Sequence, residues 1–212
     1  MLLTPSDRCK LDSSSDTLFY QQPRFVTHVD DQFIAQLTAL YRKLLRPGTK
    51  ILDLMSSWVS HLPPELECQE IVGHGLNQAE LARNPRLNRY FVQNLNENPQ
   101  LPLGDQEFDA VLNTVSVQYL QQPELIFAEI HRILKPGGIA IISFSNRMFY
   151  QKAIQAWRDR SDRQRLELVK SYFQTTPGFS PPQLFVQENS GFWSKLVASD
   201  PFYGVVANRS ME

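Results

Sequence analysis

Short apolar runs alternate with helical segments along most of this chain, and this alternation limits the folds that it can adopt. Residues 50–55 are apolar on both faces of an extended strand. They follow an amphipathic helical pattern that begins near Asp30 or Asp31 and ends at Pro47-Gly48. Because strands and helices that alternate at this spacing form βαβ units, the sequence predicts a mostly parallel sheet covered by helices.

The same order of strand and helix continues toward the end of the chain. A second helix is predicted from about Gln78 with Asn77 as its N-cap, and a third has Pro123 near its first turn. Residues 148–173 indicate two helical pieces that meet near Ser161. The predicted fold is α/β, a Rossmann-like, doubly wound, mostly parallel seven-stranded sheet with helices on both faces. Its strands are predicted at residues 50–55, 70–73, 90–93, 108–113, 139–144, 183–187 and 202–207.

Length and composition indicate one folded unit. The chain has 212 residues, and its 42% hydrophobic and 20% charged residues are typical of globular proteins rather than disordered or coiled-coil chains. Residues 1–20 include a polar run at positions 12–16 and have little periodic apolar pattern. The sequence therefore predicts a flexible leader over residues 1–20 and a single domain over residues 21–212.

The charge pattern gives no sign of a polyanionic partner. The 21 Lys and Arg residues balance 22 Asp and Glu residues, so no nucleic-acid partner is expected. No apolar run approaches the ~18 residues of a membrane span, and no signal-like stretch precedes Ser6, so we expect a cytoplasmic protein with no membrane partner. Cys9 and Cys68 lack a C-x-x-C spacing and the four histidines are scattered, so no metal site is expected.

Candidate functional residues lie where the predicted strands end. In open, mostly parallel sheets, ligands bind beyond the carboxyl ends of the strands. The first four strands of this chain end near Asp53, Gly73, Gln93 and Asn113. No nucleophile elbow, phosphate-binding loop or zinc-binding helix motif is present in the sequence. The chemistry is therefore expected from the loops that follow these four positions.

Four segments in a fixed order resemble a known family. They are Lys-Ile-Leu-Asp-Leu at residues 50–54, Val-Gln-Asn-Leu-Asn at 92–96, Phe-Asp-Ala-Val-Leu at 108–112 and Arg-Ile-Leu-Lys-Pro-Gly-Gly at 132–138. Over roughly residues 45–145 the chain resembles class I S-adenosylmethionine-dependent methyltransferases, in particular the small-molecule group called methyltransferase type 11. The resemblance implies S-adenosyl-L-methionine as cofactor and methyl transfer to a small-molecule acceptor.

The first loop departs from the family pattern. The family places Asp-x-Gly-x-Gly-x-Gly there, whereas the loop that follows Asp53 contains no glycine. The resemblance implies that Ser56 and Ser57 bind the cofactor carboxylate and that Trp58 covers the sulfonium by a cation–π contact. In the alternative interpretation, these side chains occupy the space of the cofactor.

The second and third strand ends also differ from the family pattern. Gly75 aligns with the acid that usually accepts both ribose hydroxyl protons, and His74 or Asn77 is the candidate to take part of that role. Asn94 aligns with an acid that contacts the adenine amino group, and Leu95 supplies a backbone amide to the ring. The resemblance implies that these residues, together with Asn113 at the end of the fourth strand, belong to the cofactor site.

The segment before the first long helix supplies further candidates. A leader of this kind closes over the cofactor in related enzymes, which implies that Tyr20 and Arg24 cover its carboxylate. In the alternative interpretation Tyr20 is a core anchor and His28 caps the following helix. Candidate acceptor contacts are His28, Tyr119 and Asn146, although Asn146 is also a candidate helix N-cap. No catalytic residue is predicted.

Three functions are compatible with this sequence. The favoured one is methyl transfer to a small molecule, and its rival is a non-catalytic binding or regulatory protein that keeps the methyltransferase scaffold. A methyltransferase acting on protein or RNA is disfavoured by the near-neutral charge. The loop after the first strand discriminates the first two, because an open cleft lined by Ser56, Ser57 and Asn94 favours the enzyme. Trp58 filling the adenosyl space favours the rival.

Overall fold

The computed structural model describes residues 2–187 and 199–211 and contains one mixed sheet. The strand order is β3-β2-β1-β4-β5-β7-β6, with β1 to β5 parallel and β7 antiparallel to both of its neighbours. This confirms the predicted seven-stranded, Rossmann-like α/β fold. The strands are β1 (Lys50–Asp53), β2 (Glu70–Gly75), β3 (Arg89–Val92), β4 (Phe108–Thr114), β5 (Leu134–Phe144), β6 (Gln183–Gln187) and β7 (Phe202–Asn208).

The helices agree with the apolar periodicity. Asp30 caps the first long helix by accepting a hydrogen bond from the Phe33 amide, and Asn77 caps a short helix through the amide of Glu80. The predicted helical pair at residues 148–173 is also present, but its first member is only one turn long. The helices are α1 (Asp16–Phe19), α2 (Asp31–Leu44), α3 (Gln78–Arg83), α4 (Pro123–Ile133), α5 (Gln155–Arg158) and α6 (Asp162–Gln174).

Apolar side chains fill both faces of the sheet. Phe33 and Tyr41 of α2 cover one face together with residues of β1 and β4. Phe127, Trp157 and Tyr172, from α4, α5 and α6, cover the opposite face. All five side chains are buried, so the strand ends are held by a close-packed core on both sides. Within the described residues, no helix is both long and apolar enough to cross a membrane.

The first twenty residues differ from the predicted leader. Leu3 is buried, and the backbone of the 12–16 run folds around the ammonium of Lys152. That fully buried ammonium lies 3.0 Å from a carboxylate oxygen of Asp12 and 3.5 Å from one of Asp16. The partner lies more than 130 positions away in the sequence, so no local apolar pattern reveals that this polar segment packs on the domain.

Candidate functional site

A cavity of about 380 Å³ lies at the carboxyl ends of β1 to β4. Its floor and walls come from the loops after these four strands, and the N-terminal segment around Tyr20 to Val29 forms one side. Its volume falls in the range of about 300–1,000 Å³ that small-molecule sites occupy. All predicted site residues except Asn113 and Asn146 line it: Tyr20, Arg24, His28, Asp53, Ser56, Ser57, Trp58, Asn77, Asn94, Leu95 and Tyr119.

Left-handed backbone occurs at three residues that line this cavity. Met55, His61 and Val115 have φ values of 58°, 51° and 51° although none of them is glycine. Met55 stands two residues after Asp53, where the family pattern has its first glycine. The loop therefore keeps the glycine-like turn while carrying a side chain, a local strain of the kind that is often found at functional sites.

His74 stabilises the turn at Met55 through a hydrogen bond. It is 1% exposed, its Nδ1 accepts the Met55 amide at 3.1 Å, and its Nε2 lies 2.9 Å from the carbonyl oxygen of Gln93. Because Nδ1 is an acceptor, the proton sits on Nε2 and is donated to Gln93. Burial lowers the pKa of His74 to about 4. Both ring nitrogens are engaged, so His74 holds β1, β2 and β3 together rather than contacting a ligand.

Asp53 is a buried carboxylate at the end of β1. It is 4% exposed, and the Ser56 hydroxyl donates to its Oδ2 at 2.6 Å. Burial raises the pKa of Asp53 to about 6, against the lowering effect of hydrogen bonds from Ser56 and Ser60. This carboxylate is therefore mainly ionised at neutral pH and adds negative charge to the cavity.

The Trp58 side chain is fastened to the N-terminal segment. Its indole N–H donates to the carbonyl oxygen of Val26 at 3.1 Å, and its ring meets the Phe25 ring edge-on at 6.4 Å. Trp58 thus forms part of the wall between the β1 loop and the N-terminal segment, and the cleft beside Ser56, Ser57 and Asn94 remains open.

Glu80 joins three parts of the site and was missed by sequence reasoning. Its carboxylate is 8% exposed, accepts the Ser57 hydroxyl at 2.6 Å and accepts the Arg24 amide at 2.7 Å. It lies three residues after the N-cap Asn77, where a glutamate is usually interpreted as part of a capping box. In this chain the carboxylate contacts the cavity walls instead of the N-cap backbone.

Arg24 is enclosed by aromatic rings. Its guanidinium carbon lies 4.6 Å from the ring centre of Phe19, 5.3 Å from that of Phe149 and 5.5 Å from that of Tyr20. Its Nη2 donates to the Phe19 carbonyl, whereas its buried Nη1 has no partner within the described residues. The site therefore contains a held cation with an unused donor.

The candidate acceptor residues lie around the same ring, that of Phe149. The ring of His28 meets it edge-on at 5.3 Å, and the ring of Tyr119 stacks on it at 6.2 Å. The amide of Phe149 donates to the Tyr119 hydroxyl at 2.9 Å. Burial lowers the pKa of His28 and raises the pKa of Tyr20 and of Tyr119, so all three side chains are uncharged at neutral pH.

Asn113 and Asn77 have mainly structural contacts, and Asn146 lies on the surface. Asn113 is 1% exposed, donates to the Leu54 carbonyl beneath the β1 loop and does not line the cavity. Asn146 is exposed and also lies outside the cavity lining. Asn77 lines the cavity, but both of its amide hydrogens are donated to carbonyls of the N-terminal segment and its oxygen caps α3.

The third-strand motif retains free hydrogen-bonding capacity. Asn94 donates to Glu97 and accepts the Asn96 amide, which leaves one lone pair on its side-chain oxygen. The backbone amide of Leu95 has no partner in the described part of the chain. Other residues that line the cavity include Asp16, Ser60, His61, Gln93, Thr114, Val115, Ser116, Arg147, Met148 and Phe149.

No sequence pattern identified Phe149, Met148 or Ser116 as part of the site. Phe149 and Met148 follow β5, and their aromatic or apolar character is equally typical of core residues. Ser116 follows the strained Val115, and its buried hydroxyl has no partner within the described residues.

Among the residues that the structure describes, no group of three or more histidine, cysteine or acidic side chains is placed to hold a metal ion.

Comparison with known proteins agrees with this geometry. A family model described as a methyltransferase domain matches residues 60–142. A malonyl-[acyl-carrier protein] O-methyltransferase of Marinomonas is 31% identical over 58 residues, which are 27% of this chain and 22% of that protein. A demethylmenaquinone methyltransferase of Streptomyces griseus is 26% identical over 102 residues, 46% of this chain and 43% of that protein. The matched segments thus span less than half the length of these relatives.

Solved structures share the whole architecture at low identity. An S-adenosylmethionine-dependent methyltransferase from Mesorhizobium loti has a TM-score of 0.54 and 18% identity, covering 81% of this chain and 96% of that one. A methyltransferase from Haloferax volcanii, in complex with the Trm112 activator, has a TM-score of 0.61 and 15% identity, covering 85% and 90%. Residues 60–142 thus match a methyltransferase domain, and the chain has the fold of S-adenosylmethionine-dependent methyltransferases.

Proposed function

We propose that this protein binds S-adenosylmethionine in the strand-end cavity and transfers its methyl group to a small-molecule acceptor. One observation carries the proposal. Although the first loop has no glycine, the cavity of about 380 Å³ is open, because the Trp58 indole is tied to Val26 and does not fill it. The chain therefore retains the space that the cofactor needs.

The groups around the cavity fit the cofactor chemically. The unpartnered Nη1 of Arg24 suits the carboxylate of the methionine part. The free amide of Leu95 and the remaining lone pair of Asn94 suit the two edges of adenine. The carboxylate of Asp53 favours the positively charged sulfonium. When bound, the cofactor supplies the electrophilic methyl group.

The enclosure of the cavity supports a small acceptor. Tyr20, Arg24 and His28 come from the N-terminal segment that covers one side of the site, so an acceptor has to enter beside them. Displacement at a methyl group depends mainly on positioning and on exclusion of water. The Tyr119 hydroxyl lies where it can orient an acceptor, and the uncharged imidazole of His28 lies where it can take a proton from it.

The cofactor assignment is tested by calorimetric titration of the full chain, freed of copurified ligand, with S-adenosylmethionine and S-adenosylhomocysteine. We expect micromolar binding that is lost in Ser57→Trp, because the new indole fills the cleft beside Glu80. Ser13→Trp, the same change at an exposed side chain outside the cavity, is the control and should bind like the wild type. Absence of binding up to millimolar concentration would leave the non-catalytic binding protein as the better explanation.

The acceptor class is tested with cofactor that carries a labelled methyl group. The protein is incubated with a cell extract that ultrafiltration has separated into small molecules and macromolecules. Label is expected in the small-molecule fraction. Label found only in protein or RNA would refute the small-acceptor proposal.

A further inference from the structure

Backbone closes the position at which the family pattern places its ribose-binding acid. A Cβ atom added to Gly75 would lie 2.6 Å from the carbonyl oxygen of Ser56 and 3.2 Å from a methyl group of Leu81. The Ser56 loop is itself fixed, because its amide donates to the His74 carbonyl at 2.6 Å. A carboxylate side chain at position 75 therefore does not fit unless the β1 loop moves.

His74 and Asn77, the two neighbouring candidates for binding the ribose, use their ring nitrogens and amide hydrogens within the protein. Both ring nitrogens of His74 are used, one by the Met55 amide and one by the Gln93 carbonyl. Both amide hydrogens of Asn77 go to carbonyl oxygens of the N-terminal segment, and its side-chain oxygen caps α3. The Asn77 oxygen keeps one lone pair, whereas a ribose presents two hydroxyl donors, so a second acceptor has to come from another residue.

Glu80 has the chemistry that this position lacks. It lines the cavity, it is 8% exposed, and within residues 2–187 and 199–211 no cationic side chain forms an ion pair with it. Each carboxylate oxygen accepts one hydrogen bond, from Ser57 and from the Arg24 amide. A carboxylate has about four acceptor sites, so one lone pair remains on each oxygen. A buried carboxylate without a cation needs further donors.

We infer that Glu80 is the ribose acceptor of this protein and that it takes over the role of the acid missing at position 75. A vicinal diol presents two O–H donors side by side, which matches two free lone pairs on one carboxylate. Glu80 is held by the Ser57 hydroxyl of the β1 loop and lines the same cavity as Leu95 and Ser116. The inference rests on the proposed function, because it assigns Glu80 to the ribose of the cofactor that the proposed function requires.

The test separates the diol from the other donors of the cofactor. 5′-Methylthioadenosine has the ribose diol and lacks the ammonium and carboxylate groups, and its 2′,3′-dideoxy derivative lacks the diol as well. Both are titrated calorimetrically against the full-length wild type, Glu80→Gln and Glu167→Gln, an identical change on the exposed surface of α6. The wild type and Glu167→Gln should prefer the diol by about tenfold or more. In Glu80→Gln the preference should shrink to about twofold or less.

The ratio of the two affinities distinguishes recognition from a structural effect. Loss of local structure weakens both probes alike and leaves their ratio unchanged, which would overturn the inference. Ser57→Ala removes one hydrogen bond to Glu80 but keeps the carboxylate, so it should retain the preference for the diol. If Glu80→Gln weakens S-adenosylhomocysteine but not 5′-methylthioadenosine, Glu80 binds the ammonium group and the inference is wrong. If no nucleoside binds the wild type, the proposed function itself fails.

Discussion

Two buried groups beneath the cavity titrate in opposite directions, and single substitutions should reveal each of them in the stability of the protein. Burial raises the pKa of Asp53 from 3.8 to about 6. Burial lowers the pKa of His74 from 6.5 to about 4. Because each pKa differs between the folded and unfolded chain, each group makes the free energy of unfolding depend on pH.

The signs of the two contributions are opposite. Between pH 3.8 and about 6, folded Asp53 keeps a proton that the unfolded chain has released, so its stabilising contribution is lost as pH rises. Between about pH 4 and 6.5, the unfolded chain binds a proton at His74 that the folded protein rejects, so stability is lost as pH falls. Each displacement corresponds to about 3 kcal/mol. In the wild type the two contributions largely offset each other between pH 4 and 6.

Urea unfolding across this pH range measures the two contributions separately. Relative to the wild type, the free energy of unfolding of Asp53→Asn should rise by about 2 kcal/mol from pH 4 to pH 6, because the contribution of Asp53 that is lost over this range is absent. The free energy of unfolding of His74→Gln should fall by about 2 kcal/mol relative to the wild type over the same range, because the contribution of His74 that is gained over this range is absent. Asp31→Asn, at an exposed side chain, should parallel the wild type. If either buried-site variant also parallels the wild type, the assignment of its pKa shift to burial is refuted.

Two further substitutions test the packing beneath and behind the site. Gly75→Ala should lower the free energy of unfolding by about 1–3 kcal/mol, because the added methyl group meets the Ser56 carbonyl oxygen. Gly104→Ala should leave the free energy of unfolding nearly unchanged, because its methyl group meets only the flexible Glu107 carboxylate, at 3.4 Å. Lys152→Met should cost about 1–3 kcal/mol, because the Ser14 carbonyl loses its donor and Asp16 keeps only its ion pair with Lys10. Lys170→Met, which removes a surface ion pair, should cost less than about 1 kcal/mol. Urea unfolding measures both pairs, and equal losses within a pair would contradict the packing described here.

The central strands were predictable from sequence because they carry apolar residues on both faces. Ile51 and Leu52 are fully buried on opposite faces of β1, and such runs identify a parallel strand without any knowledge of its neighbours. The helix N-caps Asp30 and Asn77 were also predictable, because a capping side chain binds a backbone amide only three positions away in the sequence. Local patterns therefore located the elements and the strand ends at which the cavity lies.

The residues that complete the site depend on contacts across the fold. Glu80 is read from sequence as an ordinary first-turn glutamate, and only its approach to Ser57 and to the Arg24 backbone makes it part of the cavity. The packing of the first twenty residues likewise depends on Lys152, far along the chain. Asn113 and Asn146 were predicted as site residues because they lie at or just after the end of a strand in the sequence. Position in the sequence did not show where their side chains lie, and neither residue lines the cavity.

The loss of glycine in the first loop has a physical counterpart elsewhere in the chain. A left-handed residue other than glycine costs about 1–2 kcal/mol, and Met55 adopts that conformation. The His74 acceptor holds the Met55 amide, and the glycine at position 75 leaves room for the Ser56 carbonyl. A histidine followed by a glycine at the end of β2 thus stabilises the turn that glycine would make in the β1 loop. The same arrangement leaves no room for an acid at position 75, whereas α3 supplies a carboxylate to the cavity through Glu80.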